Sequence, residues 1–274
     1  MSFILIFLAI IFFASILIFT VLWVNNKSPI TKESPVESYL QSSLPIYKKD
    51  DLWWGRIPFN GGEFEMIIDT GSSTISLASD ICSTCFGPPF IQNKGQKSTQ
   101  SVSYGGGQKM EYYIETVNSP ILGANIQASI VTSGANPQGK VYNILGLLNR
   151  SLALKTLMID FPNKNMEFNG PKPVNFTGSP SPIKDNIFIT VDVTGSDEIS
   201  SVIIDSGTNY VLTDAYFPNG FSFYLGDTEI YIPSNIIHKN VASGNSKRII
   251  LGNYILDKYK WYFDFDKNLV WVSK

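Results

Sequence analysis

One short pattern occurs twice in this chain and constrains it more than any other feature. Met66-Ile67-Ile68-Asp69-Thr70-Gly71-Ser72-Ser73 is matched by Val202-Ile203-Ile204-Asp205-Ser206-Gly207-Thr208, with 205 − 69 = 136 positions between the aspartates. Each copy is followed downstream by the same tripeptide, Ile144-Leu145-Gly146 and Ile250-Leu251-Gly252. A single Asp-Thr/Ser-Gly is an ordinary turn at the end of a buried strand, because Asp and Gly are favoured there on local grounds. At ordinary residue usage, the full apolar-Asp-[Ser/Thr]-Gly-[Ser/Thr] pattern arises on the order of once per 10⁵ positions. Two copies in phase, with matching partners, therefore indicate an internal duplication. Two matching halves can bring two carboxylates face to face.

The rest of the chain suits an all-β fold. It is rich in aromatic residues, Ser, Asn and Gly, and its apolar residues fall in short alternating runs bounded by turn formers. Residues 64–68, 112–117, 187–193, 221–225 and 269–272 read as strands, and no long helical periodicity appears after residue 50. Net charge is −2 with 16% charged residues, which leaves neither a basic stripe for nucleic acid nor an acidic tail. His238 is the sole histidine and Cys82 and Cys85 the sole cysteines, so no metal or cofactor site is expected. The C-x-x-C spacing by itself admits half a zinc site, a redox pair or a disulfide.

The two aspartate turns and their Ile-Leu-Gly partners resemble those of the pepsin-like aspartic endopeptidases, over roughly residue 35 to the C-terminus. Two further stretches fit that family in order. Ser101-Val102-Ser103-Tyr104-Gly105-Gly106-Gly107 is similar to the family's flap hairpin, and Trp261-Tyr262-Phe263-Asp264-Phe265-Asp266 with Leu269-Val270-Trp271-Val272 to its closing strands. The resemblance implies a bilobal all-β protease with catalytic lobes at 51–172 and 173–274, joined by the proline-rich stretch 169–184. It implies Asp69 and Asp205 as the catalytic pair. Thr70 and Ser206 would hydrogen-bond across to the opposite lobe, while Gly71 and Gly207 allow tight turns and bring backbone N–H groups near the carboxylates. Ser72 and Thr208 would offer hydroxyls to the two carboxylates.

By the same resemblance Tyr104, Gly105 and Gly106 close over an extended peptide, Ile67, Ile144 and Ile203 line central pockets, and Cys82 and Cys85 form a small disulfide loop. Closing so short a ring contributes at most about 2 kcal/mol in the chain-entropy model. The partner is then an extended peptide or protein substrate, with no nucleic acid or metal, and both aspartates on one chain make a monomeric catalytic unit. One departure stands out: the family often places a tryptophan seven positions after the first aspartate, and here that position is Ser76. A catalytically silent peptide-binding or surface domain on the same fold is the alternative; both turns being intact favours the enzyme.

The N-terminus is a separate object. Residues 3–24 carry no charge, and 22 residues make about 33 Å of helix, enough to cross a bilayer. No Lys or Arg precedes the run and no Ala-x-Ala closes it, so an uncleaved anchor is expected over a cleaved signal peptide. Residues 25–50 read as a polar, Pro/Ser-rich stalk running into a first strand, with a mature-enzyme-like start at residue 35 and no room for an ordinary pro-segment. Lys27 and Lys32 after the span favour a cytoplasmic domain, a bias that weakens for long domains. The sequons at Asn26, Asn149 and Asn175, together with the cysteine pair, favour a lumenal or extracellular one, with Asn149 and Asn175 as glycosylation sites.

Overall fold

The computed structural model describes residues 42–86, 89–90, 100–103, 109–135, 141–185, 189–197, 199–239 and 248–274. The apolar segment 3–24, the stretch up to residue 41 with its Asn26 sequon, and the flap candidates Tyr104, Gly105 and Gly106 lie outside them. Among the described residues no helix is long and apolar enough to cross a membrane. The described residues all belong to one unit, Leu40–Lys274.

The architecture is all-β, and its strands repeat. In the first half, Leu52–Phe59 pairs antiparallel with Gly62–Asp69, which pairs parallel with Ile144–Gly146. That short strand pairs antiparallel with Ile75–Ala78, which runs parallel to Gly123–Ala135. In the second half, Thr190–Asp192 is antiparallel to Ser201–Ile204, which is parallel to Arg248–Leu251. Arg248–Leu251 is antiparallel to Val211–Thr213, which is parallel to Ile237–Lys239. Five strands thus recur in the same order and the same sequence of directions. The duplication read from the two short motifs extends through the sheet topology.

Registers repeat as well, and strand alternation then separates two faces. Ile68, Leu145, Ile75 and Ala128 form one cross-strand row, all fully buried in the core. The row beside it, Trp54, Ile67, Ile144, Ser76 and Ser129, points to the other face. Its counterpart in the second half is Thr190, Ile203, Ile250, Leu212 and His238, while Ile204, Leu251 and Val211 enter the core.

A six-stranded antiparallel sheet joins the halves. The first part of Ser42–Lys49 pairs with Asn165–Phe168, which pairs with Thr156–Asp160; next come Lys260–Asp264 and Leu269–Ser273, and then Ser181–Asp185. Residues 42–49 are the first strand of the described chain and integral to this sheet. Ranges 51–172 and 173–274 both contribute strands to this sheet, so the core runs continuously between them. The proline-rich stretch turns at residues 174–175, where Phe176 N–H donates to Pro173 O (3.1 Å), and Pro182 lies inside a strand, opposite Leu269.

The strands read at 64–68, 112–117, 221–225 and 269–272 all fall within observed strands. The one read at 187–193 is shorter, Thr190–Asp192. Among the described residues the α-helical segment is a single turn, Asn253–Leu256. Cys82 and Cys85 form a disulfide.

Candidate active site

Each aspartate sits where a strand ends against its parallel neighbour. Gly62–Asp69 delivers Asp69 opposite Gly146, and residues 70–74 cross over that neighbour before the chain returns as Ile75–Ala78. The crossing leaves no space above Gly146. A Cβ there would stand under 3.0 Å from backbone atoms of Ser72 and Thr74, and at Gly252 equally close to Thr208, Asn209 and Tyr210. The glycine of each Ile-Leu-Gly is thus required by close backbone approach. Leu147 N–H donates to Asp69 O (2.9 Å) and Leu148 N–H to Ser72 O (3.1 Å) in one half; Asn253 N–H donates to Thr208 O (2.9 Å) in the other.

The two turns meet through a reciprocal exchange. Thr70 N–H donates to Ser206 Oγ (3.0 Å), and Ser206 N–H donates to Thr70 Oγ1 (2.9 Å). Each hydroxyl in turn donates across to the strand before the opposite aspartate, Thr70 Oγ1 to Ile204 O (2.9 Å) and Ser206 Oγ to Ile68 O (2.8 Å). Thr70 and Ser206 are both 0% exposed. With no water to compete, these four bonds set the spacing of the turns.

The same geometry brings the carboxyls together. Gly71 N–H donates to Asp69 Oδ1 (2.8 Å) and Gly207 N–H to Asp205 Oδ1 (2.9 Å). A Cβ on Gly207 would lie 2.7 Å from Asp69 Cγ, and one on Gly71 would lie 2.5 Å from Asp205 Cγ. Neither glycine has a positive φ. They are glycines to admit the opposite carboxylate, and the expectation that they serve a special turn conformation is corrected.

Asp69 and Asp205 are hydrogen-bonded to one another, and both titrate above the usual carboxylate range. For Asp69 the cause is first desolvation and then the Asp205 charge, and its rise is the larger. For Asp205 desolvation raises the value, while the Gly207 N–H and the hydrogen bond with Asp69 oppose it. Two carboxyls coupled this closely resist ionising together and hold one proton between them.

The hydroxyl after each Asp-Thr/Ser-Gly behaves differently from expectation. Ser72 Oγ accepts from Thr74 N–H (3.1 Å) within its own turn, and it is the Ser72 backbone N–H that faces Asp69. The ordering of this turn is local. Thr208 meets its aspartate through the backbone, donating N–H to Asp205 O at 3.4 Å.

Comparison with family models and with curated proteins returns no match to either. The site is therefore read from its own geometry.

Ile67, Ile144 and Ile203 are 8%, 9% and 8% exposed and lie outside the core cluster, on the face that leads to the aspartates. Ser76 shares their row, and its buried hydroxyl has no hydrogen-bond partner.

Asn253 was not singled out from sequence. It is fully buried, and its Nδ2 donates to Ser206 O (3.0 Å), tying the helical turn after the second Ile-Leu-Gly to the second aspartate turn. The signal available was its position directly after Gly252, where the first half has Leu147.

Of the two sequons, Asn175 is exposed. Asn149 caps the 3₁₀ turn Arg150–Leu152, its Oδ1 accepting from Ser151 N–H (3.0 Å) and its Nδ2 donating to Gln127 O (3.0 Å). A glycan on Asn149 would be carried by the Nδ2 that bonds Gln127 O, so Asn175 is the more accessible acceptor.

Proposed function

We propose that the chain is a membrane-anchored aspartic endopeptidase of the pepsin-like kind, its two halves forming two lobes that contribute one aspartate each. The observation that carries the reading is the pair of half-buried carboxyls sharing one proton, held by reciprocal Thr70 and Ser206 bonds. A site with one ionised and one neutral carboxyl can act on both ends of a hydrolysis at once. Asp205 takes a proton from the attacking water as its oxygen bonds to the scissile carbonyl carbon. Asp69 passes its proton to the carbonyl oxygen, giving a neutral tetrahedral diol. The proton on Asp205 then moves to the amide nitrogen and the C–N bond breaks. The diol returns a proton to Asp69 as the new carboxylic acid forms, restoring the pair without a covalent acyl-enzyme.

An extended peptide suits the face lined by Ile67, Ile144 and Ile203, and apolar residues beside the cut bond match it. By the family resemblance, Tyr104, Gly105 and Gly106 are the residues proposed to close over the peptide. Both aspartates lie on one chain, so a monomer suffices. Residues 3–24 provide the anchor, and the cysteine pair and the Asn175 sequon support a lumenal or exterior catalytic domain.

The test is digestion of a peptide library by the full chain across pH 3–8, with and without a statine-type transition-state analogue. Cleavage blocked by the analogue supports the reading. Analogue binding without cleavage at any pH would instead support a catalytically silent peptide-binding domain.

A further inference from the structure

The two halves differ at one matched place, and a cleft lies there. In the first half the row nearest the aspartate begins with Trp54; the matched position in the second half is Thr190. One row further from the aspartate, the first half carries Glu65, paired with Lys49 Nζ (2.7 Å) and bonded by the Tyr47 hydroxyl. The matched position, 65 + 136, is Ser201, which stands between Asp192 and Arg248 on the neighbouring strands. A bulky ring and a carboxylate are thus both missing from the second half.

The space they leave is an open cleft of about 740 Å³, floored by Thr190, Asp192, Ser201 and Arg248 and walled by Val193, Ser196, Ile199 and Lys184. Four charged residues face it, and three are accounted for. Lys184 and Asp192 form a 2.6 Å ion pair, and Asp197 stands exposed at the rim. Among the described residues Arg248 has no ion pair, and its Nε is buried without an acceptor. Thr190, 4% exposed, also has a buried hydroxyl with no partner. A buried guanidinium N–H and a buried hydroxyl left unpaired are each costly. Both point to a group that arrives with the ligand.

We infer that this cleft binds a carboxylate, the acidic side chain of a substrate polypeptide, on the Arg248 guanidinium with the Thr190 hydroxyl beside it. The inference rests on the endopeptidase reading for its substrate class. Ser201 precedes Asp205 by four residues, about 13 Å along a strand, so the acidic residue lies three or four positions from the cut bond. Arginine suits the role, because its planar fork takes a carboxylate in two parallel bonds where lysine offers a point charge.

The experiment uses the full chain and matched peptides carrying Glu or Gln at each position within five residues of the cut bond, with free and amidated C-termini. At one position Glu should raise kcat/KM about tenfold over Gln, in free and amidated peptides alike. That ratio should fall to two- or threefold in Arg248→Lys and to about one in Arg248→Met, with melting curves confirming that both variants fold. Equal cleavage of Glu and Gln peptides at every position would overturn the inference, as would a ratio unchanged in Arg248→Met. A preference lost on amidation would assign the carboxylate to the chain end and overturn the side-chain assignment. Fluorescence anisotropy of the same peptides separates this from the catalytic reading. Tenfold tighter binding of the Glu peptide, lost in Arg248→Met, would uphold the cleft even if no peptide is cut.

Discussion

Gly71 packs directly against the carboxyl of Asp205, so that a Cβ at position 71 would stand 2.5 Å from both Cγ and Oδ1. Gly207 meets Asp69 in the same way, at 2.7 Å. Because neither glycine has a positive φ, alanine would be acceptable to the backbone and would act on the opposing carboxyl alone. Gly71→Ala and Gly207→Ala should each lower kcat/KM by about a hundredfold or more, since displacement of a reacting group by roughly 1 Å costs that much. Steady-state kinetics on the two variants checks this, and near-normal rates would mean that the carboxyl separation is not critical.

The Thr70 and Ser206 exchange makes a stability prediction. Thr70→Val keeps the shape but leaves Ser206 N–H without its acceptor and Ile204 O without its donor. Each buried group so stranded costs about 1–3 kcal/mol. Ser206→Ala strands Thr70 N–H and Ile68 O in the same manner. The double variant should cost less than the sum of the singles, because the residues share one network. Urea unfolding of the four proteins measures the coupling; strict additivity would mean the turns are positioned independently.

The raised titration of Asp69 ties stability to pH with a definite sign. A carboxyl that titrates higher in the folded protein than the ordinary 3.8 is harder to ionise there. Its stabilising effect is full below about pH 3.8 and is lost as pH rises through the folded value. Asp69→Asn removes that loss. The variant should therefore melt above the wild type at pH 7, with the gap closing toward pH 3.8. Activity should fall on the alkaline side as the pair loses its shared proton and on the acid side as it gains a second. A variant that melts below the wild type at neutral pH would contradict a carboxyl at position 69 that is harder to ionise in the folded protein.

Ser76 occupies a fully buried site where its hydroxyl finds no partner. Ser76→Ala should be neutral or stabilising by about 1 kcal/mol, since an unsatisfied hydroxyl is removed. Ser76→Trp should lower stability by about 1–3 kcal/mol or more through overpacking beside Ile144. Thermal melts decide; a destabilised Ser76→Ala would show that the hydroxyl has a partner in solution.

For topology, expression in a glycosylating host should give a mobility shift on endoglycosidase treatment that disappears in Asn175→Gln. Asn149→Gln should leave the shift and cost about 1 kcal/mol through its lost cap. The chain should stay with membranes after alkaline carbonate washing. Membrane retention with no shift in the wild type would place the domain in the cytoplasm.

The aspartate turns were legible because their chemistry is local. Asp-Thr-Gly and Asp-Ser-Gly carry the carboxylate, the crossing hydroxyl and the space-sparing glycine within three residues, and the repeat identified their partners. Ile67, Ile144 and Ile203 were assigned through the family resemblance, and strand alternation sets them on the face opposite the core. What sequence could not supply was pairing between distant strands. The joining sheet unites residues 42–45, 165–168 and 260–264 across more than 200 positions, and nothing local to Ser42–Lys49 separates it from a polar stalk. Ser72 was misread because its hydroxyl had two partners in reach, its own turn and the carboxylate, and only the backbone path decides between them. Asn253 and Arg248 gain their meaning from what stands opposite, Ser206 O for the one and Ser201 in place of a carboxylate for the other.

The central claim is that Asp69 and Asp205 act as one unit in peptide hydrolysis. The most direct measurement is kcat/KM on a cleaved library peptide for wild type, Asp69→Asn, Asp205→Asn and the double variant, each first shown to melt cooperatively. Both single variants should lose at least about a thousandfold, and the double should be no worse than either, because members of one catalytic unit do not contribute additively. Near-normal turnover in either single variant would contradict the account.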